Sequence, residues 1–314
     1  MQIAEYRDIL IRLIAITVIG VLMKEGNTVD NALVTRVVRE LILKAETELP
    51  PDAINAIKVA YEKESGSISR IQLKTIIDNF TMAGKRKMPM CQDTGLMLFY
   101  LTLGNFSVDN LYDAVVEGTK EATKSIPLRP NAVHPLTREN NNNNTGRLSP
   151  VIHIELDNKP YMELTVFPKG AGSENMSSLA MLTPSDGVNG IKKFVIDTVK
   201  KAGGKPCPPV IVGVGIGGSA DISMSLAKKS LMRRIGTHND DKTVSELEES
   251  ILKEVNSLHI GAMGLGGDTT ALAVHIEYAY CHTASLPVAV NLQCWAARKA
   301  TARIYENGKV EYTG

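Results

Sequence analysis

The sequence predicts an α+β fold: a mainly helical N-terminal region over residues 1–83, then a mixed sheet over 84–314 with glycine-rich loops gathered around one site. Three observations predict it. Apolar residues recur at three- and four-residue spacing in the first part, as in Val34, Val37, Val38, Leu41 and Ile42. Beyond Cys91 the pattern changes to short strand-like runs separated by frequent Gly and Pro. With 44% apolar and 22% charged residues, the chain can bury a core without crosslinks and reads as a single domain over 1–314.

The elements follow in order. The apolar stretch from Ile9 to Met23 is about 15 residues long and carries Arg12, short of the roughly 20 that span a bilayer, so it reads as a buried or subunit-facing helix. Acidic residues precede it and no cleavage site follows, so a cytoplasmic chain is expected. Gly26-Asn27 and Pro50-Pro51 break the helical region. Leu96 to Leu103 and Val151 to Leu156 read as strands, with a helix around Val108 to Ser125 between them. Pro208 to Gly218 reads as a buried strand running into glycines, followed by a helix from about Ala220 to Arg233-Arg234. An alternating segment runs through His275 to Tyr280. Near the end, Thr301 to Tyr305 and Lys309 to Tyr312 flank Asn307-Gly308, a two-residue hairpin signal.

Composition also excludes function classes. Lys and Arg number 35 against 34 Asp and Glu, and one Trp and five Phe offer little base stacking, so nucleic acid is not an expected partner. Nor is a membrane. The cysteines are Cys91, Cys207, Cys281 and Cys294, with no C-x-x-C pair, so any shared metal site has to be assembled by the fold. Cys91-Gln92-Asp93-Thr94-Gly95 sets a soft metal ligand beside a carboxylate, which suggests metal-assisted acid/base chemistry.

Other motifs read two ways. The asparagine run Asn140 to Asn144 suits a solvated loop in which short polar side chains tolerate left-handed backbone. In Lys169-Gly170-Ala171-Gly172-Ser173-Glu174-Asn175, backbone N–H groups with Lys169 and Ser173 could hold an anion such as a carboxylate; an ordinary tight turn is the alternative. Gly213 to Gly218 formally satisfies the dinucleotide pattern G-x-G-x-x-G, but no second strand follows the next helix. The expected role of these glycines is to let a helix pack close to the strand. Gly261 to Thr270 forms a second glycine-rich turn. His282 could be a general acid or a carboxylate ligand, against the commoner structural role of a single histidine. His134, His153, His238, His259 and His275 have weaker claims.

Together these pieces resemble one family from about residue 50 to 300: the iron–sulfur hydro-lyases that include class I fumarases and L-tartrate dehydratases, and within them the α or N-terminal component. The motifs that carry the resemblance are Cys91 to Gly95, Leu128-Arg129, Asn144-Thr145-Gly146, Lys169 to Ser173, Cys207-Pro208-Pro209, the Gly264 to Gly267 turn, and His282 twelve residues before Cys294.

The resemblance implies a [4Fe–4S] cluster held by Cys91, Cys207 and Cys294, with the fourth iron open as a Lewis acid. Cys281 matches no ligand and is assigned to packing. By position, Gln92, Arg129 and Gly172 would bind a small dicarboxylate substrate, and Asp93 and His282 would be catalytic. Single-chain members continue beyond the point matching Gly314, so a separate β subunit and a hetero-oligomer are expected. The implied activity is that of a fumarate hydratase α subunit, with the α subunit of L-tartrate dehydratase as the near alternative. An NADP-dependent oxidoreductase or a non-catalytic iron–sulfur protein would be more distant ones.

Overall fold

The computed structural model describes residues 29–105 and 108–313. The Ile9 to Met23 stretch and the Gly26-Asn27 break lie outside the described residues. Three helices open the described chain: α1 (Asn31–Thr47), α2 (Pro51–Lys63) and α3 (Ser67–Arg86). The Asp30 side chain caps α1 by accepting from the Ala32 N–H, and the predicted Pro50-Pro51 break places Pro51 in the first turn of α2, where no N–H is required. Then follow β1 (Leu96–Leu103), α4 (Leu111–Ser125), β2 (Val151–Leu156), β3 (Tyr161–Lys169), the single turn α5 (Ala171–Glu174), β4 (Ser178–Leu182) and α6 (Gly187–Ala202). The chain closes with β5 (Val210–Gly217), α7 (Ala220–Ser230), α8 (Lys242–Asn256), β6 (Ala271–Ala279), β7 (Leu286–Gln293), β8 (Ala300–Tyr305) and β9 (Val310–Thr313).

The strands form two sheets, ordered β2-β1-β3-β8-β9 and β4-β7-β5-β6. Both are mixed: β1 runs parallel to β2 and antiparallel to β3, and β5 runs parallel to β6 and antiparallel to β7. In the five-stranded sheet, the stripe Val34, Val37, Val38, Leu41 and Ile42 of α1 packs with α4 on inward residues of β1, β3 and β8. Gly118 lets α1 and α4 approach, since a Cβ there would stand 2.7 Å from the Thr35 carbonyl oxygen. In the four-stranded sheet, α6 and α8 cover Val212, Val214, Ile276, Val288 and Val290. A third core joins α2 and α3 to Met90, Ala262 and Trp295, with Cys207 and Cys294 packed against it.

The predicted strands Leu96 to Leu103 and Val151 to Leu156 and the Asn307-Gly308 hairpin stand where the sequence puts them. The helix expected from Val108 begins at Leu111, behind a left-handed Asn110. As expected, no strand follows α7 directly: a second helix, α8, intervenes before β6 returns parallel to β5. The packing role of the glycines holds, since Cβ atoms at Gly213 and Gly215 would lie 2.2 Å from the Ala227 and 1.9 Å from the Ser223 carbonyl oxygens of α7. Among the described residues, no helix is long and apolar enough to cross a membrane.

Candidate active site

Three loops bring Cys91, Cys207 and Cys294 together at one end of the four-stranded sheet. Cys207 precedes β5 and Cys294 follows β7, and these strands run antiparallel with Ile211 opposite Gln293, so the two cysteines share one sheet end. The Trp295 N–H donates to the Cys207 carbonyl oxygen at 3.2 Å and ties the two loops. Cys207 itself is left-handed, with φ 55°. The Gly264 turn buttresses it: the Met263 N–H donates to the Pro208 carbonyl oxygen at 2.8 Å. All three thiols are free and half-buried. Burial pushes the Cys207 thiol up, and the neighbouring charges of Cys294, Cys91 and Asp93 push it the same way.

The Cys91 loop docks on the end of β3. Gly95 is left-handed, φ 76°, and its Cα faces the Lys169 backbone so closely that a Cβ would sit 2.7 Å from the amide nitrogen. Asp93 is fixed from two sides. Its Oδ2 accepts from the Ala171 N–H at 2.7 Å and its Oδ1 from the Gly95 N–H at 3.0 Å, with Asn131 Nδ2 at 3.5 Å. The Lys169 to Ser173 turn also touches the Cys207 loop, since a Cβ on Gly172 would lie 3.0 Å from the Lys205 carbonyl oxygen.

The anion expected at that turn is therefore already present, as the Asp93 carboxylate. Lys169 and Ser173 are not free donors either: Lys169 Nζ is buried and donates to Ser173 Oγ at 2.7 Å and to the Leu292 carbonyl oxygen at 2.6 Å. Burial brings the Lys169 amine down to about 8, opposed by the negative charge of Glu174 and Cys294.

Beside Asp93 lies a cavity of about 600 Å³ lined by Asn131, Ala132, His134, Asn141, Thr145 and Lys169 among others. Arg129 is exposed just before this wall, held by its backbone to Thr94 Oγ1 at 3.0 Å, and its guanidinium makes no hydrogen bond or ion pair to the described residues. Gln92 is exposed next to Cys91. The asparagine run is left-handed at Asn142 and Asn144, as its composition predicts, but it is not simply solvated. Asn144 is buried and accepts from the Asn131 N–H at 2.7 Å, so the run braces the cavity wall that holds Asn131 against Asp93.

His282 is not brought to the thiols. It stands exposed in the loop before β7, while Cys294 follows the other end of that strand, whose eight residues span about 24 Å at about 3.4 Å per residue. Cys281, assigned to packing, is exposed in the same loop.

A sequence model of the family described as Fumarate hydratase (Fumerase) matches residues 35–303. The chain belongs to this family. It is 52% identical over 283 residues to a putative L(+)-tartrate dehydratase subunit alpha of Methanocaldococcus jannaschii, covering 88% of this chain and 99% of the relative. It is 32% identical over 275 residues to the L(+)-tartrate dehydratase subunit alpha of Escherichia coli K12, covering 86% and 90%. A putative class I fumarate hydratase of Geobacillus stearothermophilus is 34% identical over 278 residues, covering 85% of this chain and 54% of the relative.

Two residues outside the family motifs lie close to the thiols in this fumarate hydratase family member. Arg298, 1% exposed, donates from Nη1 to Oε2 of the fully buried Glu46 at 2.8 Å. Its positive charge faces Cys294 and Cys91, and it opposes the burial that raises the Cys294 thiol. Burial likewise pushes the Glu46 carboxyl up to about 7 against the pull of Arg298. Glu46 carried a sequence signal: it sits four residues after Ile42 and eight after Val38, on the apolar stripe of α1.

The donor set fits an iron–sulfur cluster. Free thiols meet beside two buried cations, which suit the negative charge of thiolate-ligated iron. Among the described residues no three of His, Cys, Asp or Glu stand close enough to hold a single metal ion.

Proposed function

We propose that this chain is the α component of a two-subunit class I fumarate hydratase, which adds water reversibly to fumarate to give L-malate. One observation carries the reading: Cys91, Cys207 and Cys294 meet beside Asp93, which is held on the Gly170 turn next to an open cavity. Cys91, Cys207 and Cys294 would hold a [4Fe–4S] cluster, which when bound supplies an open iron as a Lewis acid for substrate oxygens.

The chain's own residues do the rest. Asp93, gripped by Ala171 and Asn131, holds a proton-transfer group in one orientation toward the substrate carbon. Arg129, exposed and without a side-chain partner among the described residues, is free to clamp a substrate carboxylate bidentately. Gln92 adds a polar contact from beside Cys91, and Gly172, whose missing Cβ lets its turn approach the Lys205 carbonyl oxygen, would contact the substrate through its backbone. His282 enters this proposal only through a contact with another chain, because its own thiols lie at the far end of β7.

A separate β subunit completes the site, a reading supported by relatives that are themselves named as alpha subunits. The free thiols suit a reducing compartment, and we place the protein in the cytoplasm. A second reading, the α subunit of L(+)-tartrate dehydratase, is favoured by the 52% identity to a relative of that name over 99% of its length. It uses the same cluster and Asp93 on a substrate with one more hydroxyl.

The test is an anaerobic assay of the reconstituted chain with its β partner on fumarate and L-tartrate. Faster turnover of fumarate supports the first reading and of tartrate the second. Turnover of neither at full cluster occupancy contradicts both.

A further inference from the structure

Arg298 and Glu46 form a buried ion pair behind the thiols, and neither belongs to a motif that carries the chemistry. The pair is a poor staple. Glu46 Oε1 and Arg298 Nε are buried with no hydrogen-bond partner among the described residues, and a half-satisfied buried pair is commonly no better than apolar residues of similar volume. Stability alone therefore gives little reason for it.

Its placement gives a better one. Arg298 follows Cys294 by four residues, and its positive charge acts on both Cys294 and Cys91. Nη2 also lies 3.6 Å from the position a Gly170 Cβ would take, a point only 3.1 Å from Asp93 Oδ2, so one guanidinium borders the thiols and the catalytic carboxylate. Glu46, in the last turn of α1, holds it in that orientation from behind. The result is a fixed dipole with its positive end toward the sulfurs. Lys169 adds positive charge beside Cys294, but its ammonium is already engaged by Ser173 and the Leu292 carbonyl.

We propose that Arg298 and Glu46 are positioning residues that set the electrostatic potential at the three-thiol site and so tune the cluster's reduction potential and retention. The proposal rests on the cluster reading given above. Removing the positive end disfavours adding an electron next to thiolates; removing the negative end and leaving Arg298 favours it.

The experiment uses the full chain, reconstituted anaerobically with iron and sulfide, as wild type, Glu46→Gln and the double variant Glu46→Leu/Arg298→Met. Iron and sulfide content, midpoint potential by redox titration, and the rate of cluster loss to a chelator are measured. The expected result is a more positive potential in Glu46→Gln, and in the double variant a more negative one with cluster loss faster by about tenfold. Potentials and loss rates equal to wild type in both variants, at full iron content, would reduce the pair to a structural contact and overturn the proposal. Should the double variant fail to fold, the sign of the shift in Glu46→Gln, which keeps volume and hydrogen bond, decides it. Wild type that takes up no iron overturns the cluster reading, and this proposal with it.

Discussion

The two ends of the four-stranded sheet are both rich in glycine turns, yet they differ in what those turns enclose. Where β5 begins and β7 finishes, the turns close on Cys207, Cys294, Asp93 and the buried charges of Arg298, Glu46 and Lys169. Where β5 finishes and β7 begins, Gly217-Gly218 leads into α7 and the neighbouring loop leaves Tyr280 99% exposed with Cys281 and His282 beside it. The second end carries the string that resembles a nucleotide motif and the histidine that looks catalytic; the first carries buried charge that must be compensated. Under the proposed reading, buried ionisable groups, rather than suggestive strings, mark the active end.

Substitutions at the two ends should separate them. Asp93→Asn keeps the shape of the side chain but removes its proton chemistry, so turnover in the assembled enzyme should fall by about 10²- to 10⁴-fold with iron content unchanged. His282→Ala should cost less than about tenfold; a loss as large as that of Asp93→Asn would show that this loop reaches a site in another chain.

Stability should divide the same way. Arg298→Met alone leaves Glu46 buried without its partner and should cost about 3–5 kcal/mol in denaturant unfolding of the cluster-free chain. Cys281→Ser, at the exposed end, should stay within about 0.5 kcal/mol of wild type.

Between the two ends, His275 in β6 faces the middle of β5, 1% exposed, with neither ring nitrogen meeting a hydrogen-bond partner among the described residues. Burial pushes its imidazole down to about 4, and the charges of Arg233 and Lys299 push it the same way. Between about pH 4 and 6.5 the unfolded chain therefore binds the proton that the folded one refuses, so stability falls as pH drops through this window, by about 3 kcal/mol in all. A His275→Phe variant should lose that part of the slope. Gly215→Ala, where the added Cβ would stand 1.9 Å from the Ser223 carbonyl oxygen of α7, should cost about 1–3 kcal/mol, with no change in iron content.

Much of this was legible in the sequence. Period and turn chemistry placed β1, β2 and the final hairpin, because each is specified by local alternation and by Asn307-Gly308. The cysteines, Asp93 and the Gly170 turn were legible as motifs, and their convergence is a property of the antiparallel β5–β7 pair that no local pattern states. The separation of His282 from Cys294 was hidden for the same reason: twelve residues look close in sequence, but most of them form one extended strand. The β5–β6 pairing escaped notice because its connection holds two helices. Arg298 and Glu46 escaped because charged residues in apolar runs read as surface positions until their partners, 252 residues apart, are seen together.

The most direct test of the account is the iron and sulfide content of the anaerobically reconstituted chain, as wild type and with Cys91, Cys207, Cys281 and Cys294 each changed to Ser. Loss of the cluster in the Cys91, Cys207 and Cys294 variants with full retention in the Cys281 variant is the predicted result. Iron retained when any of the three convergent thiols is removed, or absent from wild type, would contradict it.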